Sequence, residues 1–300
     1  MKKIVAFFLL ILSAIAIWYL FIKKYDYQVT FTAKGAPGSI YHQIIGWDSW
    51  GKDVKIKNIY TIDTILFKEV KQKVKLKDTV LNLDWSIVSV NDSISKIKIG
   101  VFSGDHSLMN RLMILTGQTP FTKSLKTKFQ RFGKGLNSFA KTFRIKIEGD
   151  SELPSLEYLY VSSEANRSGK AGMMLQLNSD FFPKIKRNNV ELNGAPFVKI
   201  KDWDMVGDKI QFDFGFPIKP TDSLATNSSI KYSKSFSKLA LKAIFYGNYR
   251  HSDQAWFALI EYARRRNIPI EKKPLEIFYN NPMQDGDASK WKAEIFVPLQ

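Results

Sequence analysis

The chain opens on its longest apolar run. Ile4 to Ile22 holds 19 residues without a charge, with Lys2 and Lys3 before it and Lys23 and Lys24 after it. As a helix this run is about 28 Å long, close to the hydrocarbon thickness of a bilayer. Beyond it the period drops to two: residues 25–31, 54–62, 64–74, 80–90 and 94–102 alternate apolar with polar positions, and Asp, Lys, Asn and Ser separate them. That pattern predicts strands, and their close spacing predicts an antiparallel meander. One short amphipathic helix interrupts them, opened by Pro37 and carrying Tyr41, Ile44, Ile45, Trp47 and Trp50. From Ser107 the period changes again. After a break at Gly117–Pro120, the residues Phe121, Leu125, Phe129, Phe132, Leu136 and Phe139 fall three or four apart, the stripe of a long helix that closes the sheet.

The second half repeats itself. Residues 143–147 predict a linking strand, and Gly149-Asp-Ser-Glu-Leu-Pro154 has the composition of a boundary. Then strand 156–162, helix 169–187 and strands 197–201 and 209–217 are followed by strand 239–246, helix 252–266 and strands 275–279 and 291–298. The closing hairpins align: Ala195-Pro-Phe-Val-Lys-Ile200 with Lys273-Pro-Leu-Glu-Ile-Phe278, and Phe212-Asp-Phe-Gly-Phe-Pro-Ile218 with Ala293-Glu-Ile-Phe-Val-Pro-Leu299. Each final strand carries a carboxylate four residues before its proline, Asp213 in one and Glu294 in the other. Residues 219–229 form a polar crossover between the copies. An internal duplication of this size outweighs any single motif.

Two resemblances follow. Tyr246-Gly-Asn-Tyr249 before a helix containing Trp256, then Pro274-Leu-Glu-Ile-Phe-Tyr-Asn-Asn-Pro282 and Ala293-Glu-Ile-Phe-Val-Pro298, resemble the GyrI-like small-molecule-binding domain, which also serves as the effector-binding module of AraC-type and MerR-type regulators. The strand, short helix, meander and long helix of residues 25–141 resemble the helix-grip fold of the SRPBCC (polyketide cyclase and START-like) superfamily. With the apolar run at the start, they imply an α+β chain in three parts: a transmembrane anchor (1–24), a helix-grip antiparallel sheet domain (25–148) and a duplicated β-α-β-β GyrI-like domain (149–300). The first resemblance implies a cleft between the two repeats with a carboxylate, Glu294 by position, meeting a cationic or polar ligand group. The second implies an apolar cavity between sheet and long helix.

Alternation along the last strand sets Glu294 and Phe296 on one face and Ala293, Ile295 and Val297 on the other. Asp213 occupies the matching face of the first repeat, so both carboxylates are ligand-binding candidates; the rival is that both face solvent from an uncovered sheet. Tyr160, Tyr246, Trp256 and Tyr279 are candidate walls, since aromatic faces bind flat apolar molecules and organic cations. For Trp256, beside Ala255, Leu259 and Ile260, ordinary core packing competes.

Composition narrows the classes. Lys+Arg 45 against Asp+Glu 28 gives a net charge of +17, which favours anionic surroundings. With no cysteine, disulfides, thiolate metal sites and cysteine nucleophiles are excluded. His42, His106 and His251 lack paired ligand spacing, so neither a metal site nor a cofactor is expected. No nucleophile elbow, Walker loop or dinucleotide fingerprint occurs. In His251-Ser252-Asp253 the serine reads as a helix N-cap. The basic helix at 121–141 suits either a solvated face or anionic lipid, and without a helix-turn-helix, zinc or RNP signature no nucleic-acid partner is expected. The reading is a single-pass membrane protein that senses or sequesters a small amphipathic or cationic molecule. Its rivals are a hydrolase of electrophilic small molecules using Glu294, and a purely structural interaction protein. A cleavable signal ending near Ala14-Ile-Ala16 competes with the retained span, and flanking lysines on both sides leave membrane sidedness open.

Overall fold

The computed structural model describes residues 2–50, 58–76, 79–104, 107–115, 117, 119–220 and 230–300. His106, the start of the strand expected at 54–62, and most of the crossover at 219–229 lie outside the described residues. The chain divides into two compact units, Met1–Ser138 and Phe139–Gln300.

In the first unit, helix α1 (Lys2–Ile17) continues into a π-helical turn, Trp18–Ile22. Together, Lys2–Ile22 is long and apolar enough to cross a membrane. Its last turn is tied down. Arg111, almost fully buried, donates from one guanidinium nitrogen to the Leu20 carbonyl at 2.8 Å and from Nε to Asp26 at 2.8 Å. An unpaired carbonyl at a helix end is thereby satisfied by a cation, which also suits the helix dipole. Asp26 in turn accepts from the Ser103 backbone N–H at 3.0 Å.

A five-stranded antiparallel sheet follows, built from β1 (Tyr27–Lys34), β2 (Ile59–Ile65), β3 (Glu69–Lys75), β4 (Val80–Asn91) and β5 (Ile94–Ser103) in the order β1-β5-β4-β3-β2. Helix α2 (Pro37–Ile45) comes after β1, and α3 (Ser107–Leu115) and α4 (Pro120–Phe139) come after β5. Alternation puts Leu81, Leu83, Trp85 and Ile87 of β4 into one core with Leu125, Phe129 and Leu136 of α4. The lysines of α4 fall outside that apolar stripe. Residues 64–74, expected as one strand, are instead a hairpin that turns at Leu66–Lys68. The turn escapes a polar-turn rule because it is apolar: Phe67 adopts φ 60° and stacks edge-on to Tyr41 at 5.6 Å. Rings pack between sheet and helix, with Trp47 4.8 Å from Phe132 and 5.7 Å from Trp85, and a pocket of about 290 Å³ opens beside Trp47, Trp50, Phe132 and Leu136.

The second unit holds β6 (Phe143–Leu153), β7 (Leu156–Asn166), α5 (Lys170–Arg187), β8 (Phe197–Asp204), β9 (Lys209–Pro217), β10 (Lys231–Ser235), β11 (Lys238–Gly247), α6 (Gln254–Arg266), β12 (Leu275–Phe278) and β13 (Lys292–Pro298). Its single antiparallel sheet runs β10-β7-β9-β8-β12-β13-β11-β6. The trios β7-β9-β8 and β11-β13-β12 share one connectivity and meet at β8–β12. The stretch 149–154, which has the composition of a boundary, is mostly strand: β6 runs through it to Leu153, paired with β11, and its polar residues lie on an edge strand. Strand β10 was not anticipated; Lys231-Tyr-Ser-Lys-Ser235 has too few apolar positions to signal one.

Chain connectivity rolls this sheet. Strands β6 and β7 lie six places apart, about 29 Å if the sheet were flat. The link between them, Pro154-Ser155, reaches no further than about 11 Å. Strands β10 and β11 are also six places apart and joined by two residues, Phe236-Ser237. Opposite edges must therefore meet at this end, and they do: Ser155 Oγ donates to the Ser235 carbonyl at 3.0 Å and Ser237 Oγ to Glu152 at 2.8 Å. Helices α5 and α6 pack on the outer face. The inner face buries Tyr158, Phe197, Ala240, Leu275 and Phe296. Gly215 is required there, since a Cβ would sit 2.7 Å from the Phe197 ring and 2.9 Å from the Leu159 carbonyl.

Candidate ligand-binding cleft

On the helical side, the first turns of α5 face the 3-10 turn Tyr249–His251 that leads into α6. Between them opens a cleft of about 600 Å³. Helix α5 supplies Met174 and Phe182, β9 supplies Phe214, and the second repeat supplies Tyr249, Phe278 and Trp291. The rings of Tyr249 and Phe278 lie 4.7 Å apart, those of Tyr249 and Trp291 5.4 Å. Alternation in β12 aims Phe278 at the helical side, and β9 does the same for Phe214. Tyr249 is fixed by both sides of its hydroxyl, which donates to the Lys292 carbonyl at 2.8 Å and accepts from the Asn280 N–H at 2.9 Å. Burial pushes its pKa up to about 12, so it stays neutral. Arg250 is the one charged side chain among the described lining residues.

Near the start of α5, the chain buries an ion pair that sequence reading overlooked. Lys170 and Glu276 are 1% and 0% exposed and in direct contact. Lys170 Nζ also donates to Ser252 Oγ at 2.9 Å and sits 4.6 Å from the Trp256 ring centre. Trp256 Nε1 donates to the other Glu276 oxygen at 2.8 Å. Burial draws the Lys170 pKa down, against the pull of Glu276. Beside this pair Arg167 bonds Asp208 at 2.8 Å and meets Asp253. Two cations of the first repeat thus grip carboxylates of the second. Ser252 is no N-cap: its hydroxyl donates to the Tyr249 carbonyl at 2.9 Å, and α6 has no side-chain cap. Glu276 had a signal of the same kind as Glu294, a single carboxylate within Leu-Glu-Ile-Phe.

The six residues expected from sequence do not converge. Trp256 is fully buried and its N–H is committed to Glu276, so it is core. Tyr279 lines the cleft and its hydroxyl donates to Glu294 at 3.0 Å. Glu294 itself lies on the inner face, paired in register with Ile277 and Ile244. Lys292 and Lys242 reach it at 2.8 and 3.2 Å. Burial favours its neutral form, but bonds from Lys292, Lys242 and Tyr279 prevail and hold the carboxyl below its usual range. Asp213 is buried on the same inner face, accepting from Ser162 at 2.8 Å with Lys201 3.8 Å away. Three strand places, about 14 Å, separate β9 from β13, with Phe197 and Leu275 between the two carboxylates. Tyr160 sits by Asp213; burial, then that charge, raises its pKa. Tyr246 lies under the Arg144 guanidinium at 4.3 Å. Among the described residues no cluster of three His, Asp or Glu side chains could hold a metal.

No protein-family model matches the sequence, and no curated protein does. Among solved structures the chain is similar to the EcmrR–DNA complex in EcmrR-RPo, at 13% identity over 67% of this chain and 86% of that one, TM-score 0.45. It is also similar to the EcmrR C-terminal domain (16%, 53% of this chain and 98% of that one, 0.41) and to SAV2435 bound to tetraphenylphosphonium (11%, 52% and 94%, 0.39).

Proposed function

We propose that this chain is a membrane-anchored binder of a small molecule, and that the ligand of its C-terminal unit is an uncharged or weakly polar aromatic or amphipathic compound held in the α5 cleft. The observation that carries this reading is the wall chemistry. A space of about 600 Å³ lies within the usual range of ligand sites, and a largely apolar lining with several aromatic rings and a few polar groups is their usual composition. The expectation of a cationic ligand balanced by Glu294 is revised, because that carboxylate already has two lysines and the cleft itself presents Arg250. A catalytic role for Glu294 loses support for the same reason: a carboxylate held ionised by two ammonium groups is a weak base. Anchoring is supported by the apolar helix Lys2–Ile22 and by the Arg111 bond to Leu20, which favours a retained span over a cleaved one.

The test uses an open position in the wall. Gly172 lines the cleft, and a Cβ there meets nothing within 4 Å. Gly172→Trp should fill the space without lowering the melting temperature of the unliganded protein. Neutral aromatic compounds from a thermal-shift screen of the full chain in nanodiscs should stabilise the wild type by mass action and leave the variant unmoved. Equal shifts in both proteins would place binding elsewhere.

A further inference from the structure

On the face away from α5, the rolled end of the second unit encloses a second basin of about 390 Å³. Its floor is apolar: Tyr158, Phe197 and Leu275 are each 6% exposed or less, with the Tyr158 and Phe197 rings 5.0 Å apart edge to face. Its rim is basic. Five lysines line it, Lys199, Lys201, Lys234, Lys238 and Lys273, against the lone carboxylate of Glu271. Three of these lysines are neutralised locally: Lys201 by Asp213 at 3.8 Å, Lys234 by Glu157 at 2.7 Å and Lys238 by Glu271 at 2.5 Å. Neither Lys199 nor Lys273 has a carboxylate partner among the described residues. Lys199 projects from the same face of β8 as Phe197, and Lys273 from two residues before Leu275 in the neighbouring chain segment. Two ammonium groups without an ion-paired carboxylate therefore flank one apolar floor, Lys199 lying 6.0 Å from the centre of the Tyr158 ring. Phe236, 83% exposed in the β10–β11 link, stands at the lip.

From this juxtaposition we infer a second ligand site that takes a small anionic amphiphile, a carboxylate or phosphate head on a short apolar body. The head lies between Lys199 and Lys273, where hydrogen bonds from ammonium groups to an anion are stronger than neutral ones. The apolar body covers Tyr158, Phe197 and Leu275 and is shielded by Phe236. A cationic ligand is disfavoured by the same two charges. This inference does not depend on occupancy of the α5 cleft.

Isothermal titration of the full chain in zwitterionic nanodiscs, corrected with empty discs, tests it. Octanoate and octyl phosphate supply the two kinds of head; octanol, octylammonium and inorganic phosphate each remove one feature. Either octyl anion should bind at one site, and the stronger of the two identifies the head group. Octanol, octylammonium and phosphate alone should each bind about tenfold more weakly or worse. Lys199→Gln/Lys273→Gln should weaken the octyl anion by a similar factor, while Lys199→Arg/Lys273→Arg retains it, which separates charge from misfolding. Gly172→Trp should leave the titration unchanged. Binding of octylammonium or phosphate as tight as octanoate, an unaffected glutamine variant, or loss in Gly172→Trp would each overturn the site.

Discussion

Lys170 and Glu276 leave water together, and each is tolerable only because of the other. Removing one partner strands a buried charge, whereas replacing both by apolar groups removes the desolvation penalty with the attraction. Glu276→Gln is therefore expected to lower unfolding stability by about 3–5 kcal/mol, and Lys170→Met/Glu276→Leu to recover most of it. Denaturant titration of the two variants beside wild type measures the cycle. Glu294 behaves differently because it is only partly buried and sits among lysines. Its folded pKa is below the unfolded value near 4.5, so its stabilisation is present above that pH and fades as the pH falls through the depressed value. Glu294→Gln should cost about 1–2 kcal/mol at pH 7, with the gap to wild type closing below pH 4.5. Melting curves from pH 7 down to pH 3 would show the closing. A gap that persists in acid would mean the charge is not what stabilises.

At the scale of elements, turns decide more than strands. Strand β9 carries its pattern openly: Phe212, Phe214 and Phe216 face the helices, and Asp213 and Gly215 face inward. The role of Gly215 is visible only in space, because the Phe197 ring crosses it from the next strand. Gly215→Ala puts a methyl against backbone as well as ring, so relief requires the strands to part; a loss of about 2 kcal/mol or more is expected in denaturant titration. Helix α6 ends on Asn267 in the left-handed region at φ 54°. Asn267→Gly should be neutral or mildly stabilising, and Asn267→Val should cost about 1 kcal/mol or more, since a branched side chain resists that conformation. The hairpin turn at Phe67 was hidden in the sequence by its apolarity. The strand at Gly149–Leu153 was hidden for the opposite reason: polar residues on an edge strand read as a loop.

For the whole molecule, two features act at long range. The apolar helix Lys2–Ile22 is long enough to cross a bilayer, and its last turn is bonded to Arg111 rather than left as a free tether. Full-length protein should stay with membranes through alkaline carbonate washing, and a chain starting at Tyr25 should appear in the supernatant. The second feature is the rolled sheet, which creates two ligand-sized spaces on opposite faces of one layer.

Periodicity alone determined the apolar span, most strands of the two antiparallel sheets and the helices beside them, because burial on one face imposes a local rhythm on the residues that supply it. Which carboxylate lies near the aromatic cleft was decided only by tertiary structure. Glu276 and Glu294 read alike in one dimension, yet one meets a buried lysine under the helices and the other a pair of partly buried lysines on the inner face. The inner basin was equally illegible: its lining comes from seven strands that meet only because two-residue links draw opposite sheet edges together.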